Sequence, residues 1–385
     1  MKIAIDARWI FPEISGIGAY TRELIKHLAL LDRKNEYVIL ARNAALRDRT
    51  LSETNLKTAP NFSFRIIDCG VFSIWNQLLL PIFLRQNNFD IYHSTNYMIP
   101  LLAFPRSGSA RTKCVVTIHD VIPMMFPTHA PKSKKARLFP IYRRLMLQIG
   151  ARANAIITDS NASREDVIMH LQLDVSSKDK VRTVYCGVSD RFQPPPARTQ
   201  RNGDETRTIL YVGRSDPYKN VATLICAFSI ARKRAPFPIR LTIAGSPDPR
   251  YPEAARLAAE LGVQDAIEWT GYIPDAQLVA AYQQSDVLVH PSRYEGFGLQ
   301  VAEAMACGLP VICSDAGALP EVAGDAAIML KPDKVQGFAA KILNVLADPI
   351  LAQQMSEKGQ RQAAKFTWDR TAAETLAIYE EISRA

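Results

Sequence analysis

Short runs rich in β-branched and aromatic residues recur along the chain, bounded by polar or Gly/Pro positions and separated by stretches of helical period. In the first half these are KIAIDA, YVILA, SFRIID, FDIYHS, CVVTIHD, AIITDS and VRTVYCGV; in the second, TILYVGR, RLTIAG, IEWTG, DVLVHPS, PVICSD and AAIML. Strands that alternate with helices imply βαβ units and parallel sheets. The rhythm breaks once, at RFQPPPARTQRNGDETR (191–207), where three prolines and a polar tract read as a linker. The pattern therefore predicts an α/β chain of two Rossmann-like, doubly wound domains, 1–190 and 208–366. Helical segments follow the last strand near 334–347 and 350–365, and a C-terminal helix within 367–385 is expected to return to the first domain.

Length agrees with this division, because single hydrophobic cores stop growing at about 250 to 300 residues and the chain has 385. With 48% hydrophobic and 22% charged residues it is neither a disordered tail nor a fibrous repeat. Apolar runs such as Leu78 to Leu84 fall far short of the roughly 20 residues of a spanning helix, and Asp6 and Arg8 interrupt what would be the apolar part of a signal peptide. The expected location is cytoplasmic, or peripheral on the inner face of the membrane. The six cysteines form no C-x-x-C pair and mostly sit in apolar runs, as buried free thiols do. The net charge of +9 is uneven: residues 1–190 carry +10 and residues 191–385 carry −1. No acid lies between Asp120 and Asp159, whereas Lys132, Lys134, Lys135, Arg137, Arg143, Arg144 and Arg152 do. With interleaved apolar residues, 131–152 reads as a basic amphipathic segment for an anionic membrane surface, Pro140 marking the start or a kink of its helix. A solvated basic face is the plainer alternative. No RNA-binding aromatic signature accompanies the charge, so no nucleic-acid partner is expected.

Ligands of open parallel sheets bind at the carboxyl ends of strands, so the loops after strands are where chemistry is sought. SGIG places Gly16 and Gly18 after the first strand, His119 ends CVVTIHD, YVGRSDPYKN supplies Gly213, Arg214 and Lys219, and Glu295 follows DVLVHPS. The most informative stretch runs from Asp286 to Val322, where a Gly-containing turn leads into LQVAEAMAC, a helix by pattern. Amides of Phe297, Gly298 and Leu299 at its start are donors for a phosphate. Glu295 stands just before the turn and Glu303 within the helix, both placed to accept hydrogen bonds from hydroxyls. The plain alternative is a solvated edge and an ordinary helix carboxylate.

This stretch, with E-G-F-G-L and its two glutamates separated by seven residues, resembles the signature of retaining glycosyltransferases of the glycogen-synthase-like family 4, and the likeness extends from KIAIDAR to FTWDRTAAETLAIYEEI. The resemblance implies the GT-B fold, two Rossmann-like domains facing across a cleft, with a nucleotide-sugar donor held mostly by the second. It implies that Glu295 binds donor-sugar hydroxyls, Glu303 the ribose, Arg214 and Lys219 the diphosphate, the Gly16/Gly18 loop the same diphosphate, and His119 the sugar near its 6-hydroxyl. Tyr272 is placed near the base. His93 and Asn96, after FDIYHS, are placed where an acceptor approaches. Fixed cations at a diphosphate do the work that a metal does at D-x-D in another transferase class, and this chain has no D-x-D. No metal and no other cofactor is expected.

IDARWIFPEISGIGAYTRELI and HSTN resemble bacterial mannosyltransferases of surface-polysaccharide assembly. The function expected is transfer of a hexose, mannose from GDP-mannose as first choice, to a glycan or lipid-linked acceptor. The alternatives are a nucleotide-sugar epimerase of the same fold and a non-catalytic nucleotide-sugar or nucleic-acid binding protein.

Overall fold

The computed structural model describes residues 1–13, 15–54, 56–106, 110–126, 137–196, 205–245 and 249–384. Two compact units emerge: Met1–Met125, Leu138–Gly187 and Thr367–Ala385 form one, Phe126–Arg137 and Val188–Phe366 the other. Of the expected linker, 197–204 lies outside the described residues, as do 127–136 and with them Lys132, Lys134 and Lys135.

The first unit is a seven-stranded sheet built from β1 (Lys2–Asp6), β2 (Glu36–Ala41), β3 (Phe62–Ile66), β4 (Ile91–Ser94), β5 (Lys113–Thr117), β6 (Ala155–Thr158) and β7 (Val181–Thr183), in the order β3-β2-β1-β4-β5-β6-β7. Every pairing is parallel. Its helices are α1 (Gly16–Leu31), α2 (Ala44–Thr54), α3 (Ile74–Gln86), α4 (Ile122–Met125), α5 (Phe139–Arg152) and α6 (Asn161–His170). Strands covered on both faces are buried along their length, as all four residues of β4 and of β6 are. Pro140 sits in the first turn of α5, where its missing N–H costs nothing.

The second unit holds β8 (Arg207–Val212), β9 (Ile239–Ala244), β10 (Ile267–Gly271), β11 (Val287–His290), β12 (Val311–Ser314) and β13 (Ile328–Leu330), in the order β10-β9-β8-β11-β12-β13, again all parallel. Around them lie α7 (Val221–Arg234), α8 (Glu253–Glu260), α9 (Asp275–Gln284), α10 (Leu299–Ala306), α11 (Leu319–Ala323), α12 (Val335–Ala347) and α13 (Pro349–Ala363). Phe228, Leu241, Val289 and Phe338 are fully buried within one core cluster of this unit. All thirteen runs read as strands from the sequence are strands. In both sheets the order reverses beside the unit's first strand, between β1 and β4 and between β8 and β11, and such reversals leave a crevice at the strands' carboxyl ends.

The last helix, α14 (Trp368–Arg384), belongs to the first unit. Trp368 packs edge-on to Tyr20 of α1, and the Thr371 hydroxyl donates to the Tyr185 carbonyl at 2.7 Å. Among the described residues no single helix is long and apolar enough to cross a membrane. All six cysteines are free.

Candidate active site

At the reversal between β8 and β11 the second unit brings opposite charges together. Asn220, in the left-handed region at φ 58°, ends the turn after β8, and its side-chain amide donates to the carbonyls of Pro291 (3.1 Å) and Pro332 (2.9 Å). The Arg293 amide donates to the Tyr218 carbonyl at 2.8 Å. These bonds stitch the β8 loop to the β11 loop, and the result is that Lys219 meets Glu295. The Lys219 ammonium donates to both carboxylate oxygens, at 2.8 and 2.7 Å, and His290 Nε2 donates to Oε1 at 2.7 Å.

The His290 and Glu295 side chains are buried, and Lys219 is largely so. Burial alone would raise the Glu295 carboxyl, but Lys219 and His290 pull it well below the usual carboxylate range. Burial alone would lower Lys219, and the Glu295 carboxylate holds it above the ordinary lysine range instead. The pair is therefore fully ionised at neutral pH. Because a carboxylate only accepts, the His290 proton sits on Nε2; its Nδ1 is buried with no hydrogen-bond partner among the described residues. The Tyr211 ring stacks on the imidazole with centroids 5.8 Å apart.

Two glycines shape this loop. Gly317, at φ 57°, lies so close that a β-carbon there would stand 2.5 Å from the Glu295 carbonyl oxygen, which accepts from the Ala318 amide at 3.0 Å. Gly298, at φ 97°, opens α10 without a side-chain cap; its carbonyl takes the Val301 amide at 2.9 Å, and the amides before Val301 make up the helix's positive end. Phe297 just before it is buried, edge-on to Phe366. Glu303, one turn along α10, accepts from the Tyr282 hydroxyl at 2.9 Å. Its apolar surroundings push its carboxyl up to about 8, against the Tyr282 hydrogen bond.

Arg214 is more exposed and pairs with Asp216 at 2.9 Å. Gly213 directly follows β8, its amide on the Ala244 carbonyl at 2.8 Å. Tyr272, half-exposed, follows the edge strand β10, two strands from β8.

In the first unit, His119 follows β5. Nδ1 lies 2.5 Å from Asp159 Oδ2 at the end of β6, and Nε2 is 3.0 Å from the Thr95 carbonyl after β4. Both partners are acceptors, so both nitrogens carry protons. Burial opposes that charge, and Asp159 outweighs it, raising the imidazole above its ordinary value. His119 thus offers a fixed cation rather than a free ring nitrogen. Ser15 caps α1, its hydroxyl accepting from the Gly18 amide, and Gly16 is the exposed first residue of that helix.

His93 does not meet the expectation that it faces an acceptor. It is wholly buried, Nδ1 bonded to the Tyr379 hydroxyl of α14 at 2.5 Å and Nε2 to Thr117 Oγ1 at 2.8 Å, and burial lowers it to about 3. A neutral, fully bonded imidazole has nothing left for a ligand. Asn96 is buried beside it in sequence, its side-chain oxygen accepting from the Tyr97 amide at 2.8 Å.

His290, Asp159, Tyr282 and Gly317 were not singled out from the sequence. Only His290 carried a usable signal, standing at the end of the strand whose loop delivers Glu295. Among the described residues no cluster of three or more His, Cys, Asp or Glu is placed to hold a metal ion.

Residues 14–192 match the family described as Glycosyltransferase Family 4, and residues 197–362 match Glycosyl transferases group 1. The chain belongs to these glycosyltransferases. It is 28% identical to the O-antigen chain mannosyltransferase B of Escherichia coli, over 99% of this chain and all of that one. It is 29% identical to the MMP alpha-(1->4)-mannosyltransferase of Mycolicibacterium hassiacum, over 77% and 72%. Among solved structures, sucrose-phosphate synthase from Thermosynechococcus elongatus superposes with a TM-score of 0.77 at 21% identity, over 99% of this chain and 98% of that one. The glycosyltransferase therefore has the GT-B fold expected from its sequence.

Proposed function

We propose that this glycosyltransferase moves a hexose, mannose from GDP-mannose first, to a glycan or lipid-linked glycan in surface-polysaccharide assembly, with retention of configuration. The reading is supported above all by the Lys219–Glu295–His290 group at the sheet reversal, where one largely buried cation and one buried carboxylate are held ready for a charged, hydroxylated ligand. Breaking the sugar–phosphate bond leaves negative charge on the nucleoside diphosphate, and preorganised cations aimed at such charge are often the largest catalytic contribution. Lys219 turns from Glu295 to the diphosphate, aided by Arg214 and the amides at the start of α10. Glu295, still held by His290, accepts the sugar hydroxyls, and Glu303 accepts those of the ribose. The leaving phosphate helps to take the acceptor's proton. The mannosyltransferases among its relatives support the choice of sugar.

Thermal-shift screening of GDP-mannose, UDP-glucose and ADP-glucose tests the donor, since a ligand at about 100 times its Kd adds roughly 2.7 kcal/mol of stability. NMR of the product gives the anomeric configuration. Inversion, a preference for another donor, or epimerisation of the donor alone would refute the corresponding part. Because Lys219 and Arg214 supply the positive charge, turnover survives EDTA; loss restored by Mg²⁺ would overturn that.

A further inference from the structure

His119 is held from three sides. Besides the bonds of Nδ1 to Asp159 and of Nε2 to the Thr95 carbonyl, its own carbonyl accepts from the Ser163 hydroxyl of α6 at 3.0 Å. Thr95 is fixed in turn: its hydroxyl donates to the Asp6 carbonyl at 2.9 Å and lies 2.8 Å from the Thr21 hydroxyl of α1. An imidazole with both nitrogens donating to such acceptors has no lone pair for a proton or for a sugar hydroxyl. What it offers is charge. Its side chain keeps 14% of its surface exposed, at the carboxyl ends of the first sheet, where ligands of parallel sheets bind.

Asp159 is arranged for this ring rather than for the fold around it. The helix that follows, α6, is capped by Ser160, whose hydroxyl accepts from the Ser163 amide at 3.0 Å. Asp159 takes none of these amides, although a carboxylate at a helix start commonly does. Its Oδ2 meets His119, while among the described residues no nitrogen or oxygen donor reaches the buried Oδ1. An oxygen left bare in the interior costs stability, so this carboxylate is poorly explained as a support for the fold.

The other groups facing the ring do not take its charge away. Tyr20 of α1 lies edge-on with centroids 4.9 Å apart, and burial, with Asp159 adding to it, keeps that phenol protonated. The Cys186 thiol, after β7, is kept protonated by the same two causes. His93 of β4 is neutral and bonded to Thr117. Asp120, next in the chain, pulls in the same direction as Asp159 but more weakly, and accepts from the Ile122 amide at 3.0 Å.

We propose that Asp159 is a positioning residue of the transfer reaction: by holding Nδ1 it keeps His119 an imidazolium, which serves the anionic donor as a fixed charge and not as a base. This rests on the donor reading above and adds to it the residue that sets the state of His119. In Asp159→Asn, burial of the ring is opposed only by the Thr95 carbonyl and Asp120, and the imidazole gives up its proton at lower pH than in the native chain.

The test joins nitrogen-15 NMR of the histidine side chains in the full chain, His119 being assigned by its loss in His119→Gln, to the pH profile of turnover. At pH 7 the native His119 is expected to carry protons on both nitrogens, and in Asp159→Asn on one. Turnover by Asp159→Asn is expected to approach the native value at the acid end of the profile and to fall about tenfold for each pH unit above the lowered titration. Asp159→Glu, which keeps the carboxylate, retains the native limb at higher pH. A native His119 with a single proton at pH 7 would overturn the proposal, and that measurement needs neither a variant nor a donor. So would an Asp159→Asn chain with the native profile, or one slowed by the same factor at every pH, the mark of a structural role. Failure of the donor reading shows separately, as a native chain that turns over none of the nucleotide sugars.

Discussion

Replacing Lys219 with methionine removes the charge but keeps most of the side-chain volume, and it leaves the Glu295 carboxylate buried with His290 as its remaining partner. Breaking a buried ion pair by deleting one member costs about 3–5 kcal/mol, because the other charge is left uncompensated. In the native chain the depressed Glu295 contributes stability that is present above its unfolded value of about 4.3 and is lost as pH falls through the lower folded value. The raised Lys219 contributes stability present below about 10.4 and lost as pH rises through the higher folded one. Both contributions are complete between about pH 5 and 9. In Lys219→Met the Glu295 carboxyl rises toward or above its ordinary value, so acid neutralises it cheaply. The variant's deficit is therefore largest at pH 7.5 and narrower at pH 5, and Lys219→Met/Glu295→Gln recovers part of it. Urea denaturation of the three proteins at both pH values measures this, and turnover falls by about 10² or more in either Lys219 variant. A Lys219→Met chain as stable as the native one, or a deficit identical at both pH values, would refute the reasoning.

Glu303, held near 8, is mostly protonated at pH 7; ribose hydroxyls favour its carboxylate, so nucleoside diphosphate binding releases a proton and tightens as pH rises toward 8. Calorimetry in buffers of different ionisation enthalpy checks this, with the release abolished in Glu303→Gln and retained in Glu295→Gln, which also spares affinity for the free diphosphate. Gly317→Ala forces a side chain into a left-handed position against the Glu295 backbone, and we expect a loss of about 1–3 kcal/mol together with lower kcat, read from melting and steady-state kinetics.

The parallel sheets were legible because strands buried on both faces announce themselves as apolar runs, and the reversal at β8 and β11 follows once the runs are ordered. Lys219 and Glu295 were legible because each stands in a loop after such a strand, although their contact spans 76 residues. Position at a strand end does not reveal which way a side chain points, and this is why His93 reads as exposed chemistry while it is sealed inside. Gly317 and Asp159 act through partners distant in sequence, with no local pattern to mark them. The α3 run was visible as hydrophobic and too short to span a bilayer; that it buries Asn76 beside Leu80 and Leu84 follows from the bond with Arg8, a pairing 68 residues apart.

The return of α14 to the first unit has a consequence for biosynthesis. The bond between His93 and Tyr379 spans 286 residues, and the whole second unit is translated in between. A ribosome thus finishes the second unit while the first still lacks the helix that covers Tyr20 and His93. The first unit must wait, partly open, with a buried histidine and an aromatic cluster unprotected. During that interval we expect the nascent chain to be most exposed to proteases and most dependent on chaperones, and a chain cut at residue 366 to remain in that state indefinitely.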